Sequence, residues 1–300
     1  MLELSYIKPS LGDRIYRGTS FIILAVTMVL IMYPLLFVVN ASFSNPKYVY
    51  DNPFLIFPKG FNLDSYKLVF ENSDVWIGYK NSFIYMILGT VINIIMTICG
   101  AYPLSRKDFV GRNALTLFYT FTMFFSGGLI PFFLICRQLG LYDNLWVMIL
   151  PGAVSVYNMI IMRTYFQSRI PHDLEESAMI DGCTNFKLLL KIVLPLAAPI
   201  MAVMVLFYGV GHWNSYFHAM IFINKKELWP LQLVLREILI KNEMSKMLQI
   251  VVDEQYAERM LAQMGLKYVI VIVATLPIFI IYPLMQRFFK EGIMVGALKG

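Results

Sequence analysis

The sequence predicts an all-α membrane protein with six transmembrane helices and both termini on the cytoplasmic side. Three observations lead there. Of the 300 residues, 58% are hydrophobic and only 15% are charged, with a mean hydropathy of +0.65, whereas a soluble domain carries about 25% charged residues. The charges are also segregated. Six runs of 19 residues or more contain no Asp, Glu, Lys or Arg: Gly18–Pro46, Asn81–Ser105, Asn113–Cys136, Asn144–Met162, Ile192–Asn224 and Tyr268–Gln286. Finally, each run is long enough. Roughly 20 apolar residues in a helix cross the hydrocarbon core, and runs of this length satisfy their backbone in lipid as helices.

The first span is expected at about 19–41. It is too long for a secretory signal and no small-residue cleavage site follows, so it is expected to stay as an anchor. An outer loop over about 42–80 comes next, with Asn45-Pro46, Asn52-Pro53 and Phe57-Pro58-Lys59-Gly60 marking turns and a short interfacial helix expected within Phe61–Glu71. The second span covers about 81–104 and ends in a basic turn, Ser105–Arg112. The third, about 113–136, contains Ser126-Gly127-Gly128 and Pro131, and the fourth, about 144–163, contains Pro151-Gly152. Gly and Pro are frequent in membrane helices, but unwound backbone at membrane depth can also line a polar path. Both readings stay open for these breakers.

A charged segment over about 168–196 precedes the fifth span, about 197–223. An outer loop over about 224–267 follows, in which Leu231, Leu235, Ile238 and Leu239 recur at helical spacing just after Pro230. The sixth span covers about 268–288, and the whole chain, 1–300, reads as one membrane domain. Lys and Arg set the orientation. Arg14, Arg17, Arg106, Lys107, Arg112, Arg287 and Lys290 all fall on one side if the termini face the cytoplasm. The net charge of +6 is thereby explained by membrane topology, and no nucleic-acid partner is implied. Cys99, Cys136 and Cys183 show no disulfide framework or metal spacing.

The segment 168–196 is the most informative part of the chain. Pro171 suits a first helical turn, and Asp173, Glu175 and Glu176 follow where the helix dipole favours anions. Gly182 stands where a chain leaving a helix needs a left-handed residue. Thr184 and Asn185 can cap a second helix carrying Phe186, Leu189, Leu190 and Val193 on an apolar stripe. Two short helices hinged at Gly182 suit docking to a soluble partner better than mere connection.

The fifth span carries the second constellation. Tyr208, His212, Trp213, Asn214 and Tyr216 form a polar-aromatic cluster within a hydrophobic run, with Tyr157, Asn158 and Asn93 as weaker companions. Aromatic rings with amide partners suit the apolar faces and hydroxyls of sugars, and polar residues in spans face the bundle interior or a function. Equally, Trp213 suits an interfacial belt and Asn214 a bond to a neighbouring helix. His212 and His218, six residues apart, lie on different helical faces and do not make a metal pair. The chain contains no G-x-x-x-x-G-K-[ST] phosphate loop, so energy for any pumping must come from another subunit.

Glu176-Ser177-Ala178-x-x-Asp181-Gly182, followed by Ile192-x-Leu194-Pro195, resembles the EAA loop of permease subunits in bacterial ABC importers. Three further stretches resemble the carbohydrate-uptake permeases of the MalG type, in the subgroup of LplC- and YtcP-like permeases for oligosaccharides and polysaccharide fragments. They are Ser126–Pro131, Phe207–Phe217 and the ending Gly292–Gly300. Ser177 and Cys183 stand where the pattern usually has Ala; both are small-for-small changes. The resemblance implies a type I ABC importer permease fold in the bacterial plasma membrane, non-catalytic and without a cofactor or metal of its own. ATP and Mg would belong to a partner ATPase dimer. It also implies a second homologous permease, an extracellular solute-binding (lipo)protein and an oligosaccharide substrate.

By motif match, Glu175, Glu176, Ala178, Ile180, Asp181, Gly182, Ile192, Leu194 and Pro195 would couple to the ATPase, with Ala178 and Ile180 packing in its cleft. Gly296, Lys299 and Gly300 of the tail would reach toward it. The competing readings are an importer for a non-sugar solute, an intramembrane enzyme using Glu175, Glu176 and His172, and a channel or secondary carrier. The uncharged spans disfavour the last, and the missing H-E-x-x-H disfavours the enzyme.

Overall fold

The computed structural model describes residues 10–52, 54–248 and 254–297. Among them the chain is helical, and pairing outside helices is limited to a single bridge between Ser44 and Phe61. The helices are α1 (Leu11–Ser42), α2 (Pro46–Asp51), α3 (Asp64–Glu71), α4 (Ser73–Ser105), α5 (Arg112–Phe124), α6 (Leu129–Gln138), α7 (Val156–Arg169) and α8 (His172–Ile180). After them come α9 (Asn185–Leu188), a π-wound turn (Leu189–Val193), α10 (Leu194–Leu196), α11 (Ala198–Trp213), α12 (Phe217–Phe222), α13 (Leu231–Leu248) and α14 (Glu254–Ala297). Among the described residues, three helical stretches are long and apolar enough to cross a membrane, Leu11–Ser42, Ser73–Ser105 and Ala262–Pro283, or up to five if each of two bent pairs is one span.

The interruptions fall where the breakers stand. The predicted third span is not one straight helix: α5 and α6 meet at 112°, across Phe125–Gly128, where Gly128 has φ +84°. The predicted fourth span opens as a 3-10 turn, Leu145–Met148, and becomes α-helical only at α7, after Pro151-Gly152 and the Ser155 cap. The predicted fifth span is helical to Trp213, breaks at Asn214-Ser215 and resumes as α12. Its entry is sharply bent, with 82° between Asn185–Leu196 and Ala198–Trp213. Pro195 has no N–H to give the Lys191 carbonyl, and the π turn before it widens the helix to accommodate that loss.

Two compact units are distinguished by their internal contacts, 1–71 with 245–273 and 72–244 with 274–300. In the first, α1 begins at a capping box, Ser10 and Asp13 each bonding the other's backbone N–H. None of its most apolar window is buried, as befits a helix facing lipid. Ala41, Val49 and Leu55 form a small core with Phe37 and Tyr268. The expected interfacial helix is α3, whose Ser65 Oγ donates to the Ala262 carbonyl at 2.6 Å.

In the second unit α4 is the spine, packed against α11 and α7. One core gathers Ile98, Tyr102, Met159, Met162, Phe166, Leu188, Val193 and Met204. Another gathers Tyr85, Cys136, Val147, Ile149, Phe222 and Leu233. Cys136 is buried in this core, whereas Cys99 is exposed. The helix expected after Pro230 is α13; Leu231 and Leu235 are buried. Its start is clamped to α4. Asn81 Nδ2 donates to the Glu227 and Trp229 carbonyls, the Tyr85 hydroxyl to the Leu228 carbonyl, and the Leu231 N–H to Ser82 Oγ. Gly78 permits this approach, since a Cβ there would lie 3.0 Å from the Leu231 Cα.

Candidate functional site

The hinge predicted at Gly182 is present. Gly182 has φ +76°, a region that side chains with a Cβ avoid. Its N–H bonds the Met179 carbonyl and the Cys183 N–H bonds the Ala178 carbonyl, both at 3.0 Å, the two bonds of a Schellman cap. Thr184 Oγ1 then caps α9 through the Lys187 N–H. The loop presents a defined surface. Ile180 is 86% exposed and Phe186 71%, and Glu176 and Asp181 are exposed beside them.

Other members of the predicted coupling set turn inward. Ala178 is buried in this chain's own core, together with Leu188 and Val193. Its side chain therefore faces inward, unlike that of Ile180. The apolar stripe predicted for the second helix is likewise shifted: Leu188 and Val193 are covered, while Phe186 and Leu190 are exposed. Ile192 and Leu194 pack against the same core, and Pro195 sits at the bend. Glu175 points at Arg106, its Oε2 lying 3.2 Å from Nη1. The side chain of His172 and residues Lys299 and Gly300 lie outside the described residues; Gly296 falls in the last helical turn of α14.

The sequence reading used Arg106 only to set the orientation and gave it no place at the site. Its guanidinium, 6% exposed, makes a bidentate pair with Asp108 at 2.9 Å for both Nε and Nη2. Those bonds hold its pKa above the ordinary value, against the opposing effect of burial and with help from Glu175. The carbonyls at the end of α4 are also taken up. Arg163 Nε donates to the Leu104 carbonyl, Gln167 Nε2 to that of Ser105 and Arg112 Nη1 to that of Arg106. Orphan carbonyls at a helix C-terminus need such partners. The available signal was a basic residue directly after an uncharged run of 25 residues, Asn81–Ser105.

The polar-aromatic residues divide into two groups. Asn93, 1% exposed, donates to the Gly152 carbonyl at 2.5 Å and meets His212 Nε2 at 2.6 Å. Tyr208 and Thr97 share a bond of 2.7 Å. Trp213, 1% exposed, lies against Tyr79 and Phe83 and donates to the Ala274 carbonyl at 2.8 Å. Asn158 is buried near the start of α7. The side chains of Asn93, His212, Tyr208 and Trp213 thus have structural partners within the bundle. Outside it, Tyr157 is 60% exposed and Tyr216 41%. Arg236 stands over the Tyr216 ring, and Asn214 accepts a long bond from Gln232 at 3.4 Å.

A further polar joint lies beyond the sixth helix. Asp143, at φ +55°, accepts the Asn224 and Lys225 N–H groups at 2.9 Å each. Bonds from the Lys225 and Asn224 amides, together with the Lys225 charge, hold its carboxyl below the usual range despite some desolvation. Among the described residues no group of three or more His, Cys, Asp or Glu could hold a metal.

Residues 75–295 match the family of binding-protein-dependent transport system inner membrane components. Protein LplC of Bacillus subtilis is 35% identical over 300 residues, the whole of both chains. The polygalacturonan/rhamnogalacturonan transport system permease protein YtcP, also of Bacillus subtilis, is 36% identical over 96% of this chain and 99% of its own. Among solved structures, a chain of a bacterial ABC transporter involved in the import of the acidic polysaccharide alginate superposes with a TM-score of 0.82. That chain is 31% identical, and the match covers 93% of this chain and 98% of that one.

Proposed function

The chain belongs to the family of binding-protein-dependent transport system inner membrane components, and from that premise we propose that it forms half of the translocation path of an ABC importer for an oligosaccharide released from a polysaccharide. Membership makes it a multi-pass permease of the bacterial inner membrane with the type I fold, and a transport component rather than an enzyme. The observation that carries the substrate class is full-length similarity to relatives whose names concern polygalacturonan, rhamnogalacturonan and alginate. In this reading six spans cross the membrane, with the bent α5–α6 pair and the α7 segment each counted as one, and both termini face the cytoplasm. The partners are a second homologous permease, an ATPase dimer that holds ATP and Mg, and an extracellular solute-binding protein.

The α8–Gly182–α9 hinge is the ATPase contact. Support comes from its outward surface, where exposed Ile180 and Phe186 flank acidic Glu176 and Asp181. Asn214, Tyr216 and Tyr157 are the candidates left for sugar contact, because Trp213, Tyr208, His212 and Asn93 are engaged inside the bundle. The outer loops 42–80 and 224–267 face the binding protein.

The test is affinity purification from native membranes in mild detergent, with mass spectrometry of co-purifying chains and uptake assays with pectic and alginate oligosaccharides. Gly182→Val forces a β-branched side chain into the left-handed region, although a Cβ there meets nothing within 4 Å. Backbone strain of about 1–2 kcal/mol or more should therefore act on the hinge alone. An ATPase and a second permease should be recovered with the parent chain, and the ATPase lost with the variant. A partnerless chain, or a variant with undiminished uptake, would overturn the assignment.

A further inference from the structure

We propose that Arg106 is the positioning residue that pins helix α8 to the end of α4, so that a displacement of α8 is delivered to the spine of the bundle. Four contacts make the pin. Nη1 reaches Glu175 Oε2 at 3.2 Å and Nη2 lies 3.8 Å from Met179 Sδ, so one guanidinium touches two positions a turn apart on one face of α8. Nε and Nη2 are fixed by Asp108, which aims the fork from the α4–α5 turn. The side chains of Arg106 and Glu175 are 6% and 14% exposed, so water screens the pair little. A planar fork holds this geometry where a lysine, a point charge on a flexible stem, would not.

The end of α4 is itself rigid, because Arg163 and Gln167 of α7 bond its last carbonyls. Movement of α8 therefore reaches α4 and α7 together. Glu175 turns away from the outward face that carries Ile180 and Glu176, so adjacent acids have separate tasks, Glu175 inward and Glu176 outward.

The pin rests on the docking reading of α8 only for its consequence in transport, and the experiment separates the two. Hydrogen exchange of the α8 amides is measured on the nucleotide-free complex as purified from membranes, for the parent, Arg106→Gln, Arg106→Lys, Glu175→Gln and the double variant Arg106→Gln/Glu175→Gln. Substrate-stimulated ATP hydrolysis is measured on the same samples. Loss of a charge-assisted bond should speed exchange across residues 172–181 by about tenfold. The double variant should be no worse than the poorer single one, and Arg106→Lys should recover only part of the protection. Stimulation of hydrolysis should fall in parallel while the partners still co-purify. Unchanged exchange in Arg106→Gln and Glu175→Gln, or losses that simply add, would overturn the pin. Faster exchange with full stimulation would leave the contact standing and overturn its part in delivering the displacement, whereas the docking reading of α8 falls separately, if the ATPase is still recovered with Gly182→Val.

Discussion

The hinge segment 171–196 and the α4–α11 seam are both built from polar groups in a largely apolar chain, yet they use them in opposite ways. Along the seam, Asn93, His212, Tyr208 and Thr97 are matched to one another and to the Gly152 carbonyl, because an unmatched polar group away from water costs free energy. In the hinge, Ile180 and Phe186 are left uncovered although each could lower its free energy by burial. The four seam side chains are satisfied within the chain, and the buried Thr90 Oγ1 of α4 is the exception on this seam. The hinge leaves apolar surface uncovered. Polar character in a membrane chain thus does not by itself mark a ligand path; what matters is whether the partners are already supplied.

The largest test of that contrast is on the seam. A Cβ at Gly89 would overlap the His212 ring, so Gly89→Val should destabilise the purified complex at the upper end of the 1–3 kcal/mol typical of overpacking. His212→Ala in the same chain should relieve much of it, as thermal unfolding in detergent would record. Equal destabilisation with and without His212 would place the strain elsewhere. Asn93→Ala comes next. It strands His212 and the Gly152 carbonyl, a loss of about 1–3 kcal/mol, with little effect on sugar affinity if Asn93 serves packing alone.

Ile180→Ser should move stability by no more than about 0.5 kcal/mol, as an exposed position allows, while weakening recovery of the ATPase. An intact complex with that variant would mean the exposed surface of the hinge is not used. The smallest effect concerns Asp143. Its carboxyl is held below the usual range by the Lys225 and Asn224 amides, so its contribution is complete above the ordinary carboxylate pKa and fades as pH falls through the lowered value. Asp143→Asn should flatten that acid limb of the stability profile. An unchanged limb would assign it to other groups.

Much of this was legible along the chain because lipid imposes its rules residue by residue. The uncharged runs delimit α1, α4 and the apolar part of α14. The hinge could be read from Pro171, Gly182 and Thr184, since a left-handed turn and a helix cap are local events. The breaks at Gly128, Pro151-Gly152 and Pro195 were visible as residues, but not the 112° and 82° angles they produce. Those angles depend on what the flanking helices pack against.

The sequence by itself determined the class of the molecule, the position of its hinge and the absence of a phosphate loop, because hydropathy, backbone preference and motif chemistry are carried by neighbouring residues. Only the tertiary structure decided that Ala178 faces inward while Ile180 faces out, that Glu175 belongs to Arg106, 69 positions away, and that Asn93 and His212, 119 positions apart, form one pair. Burial and pairing depend on which distant segment arrives at a side chain, and no local pattern records that.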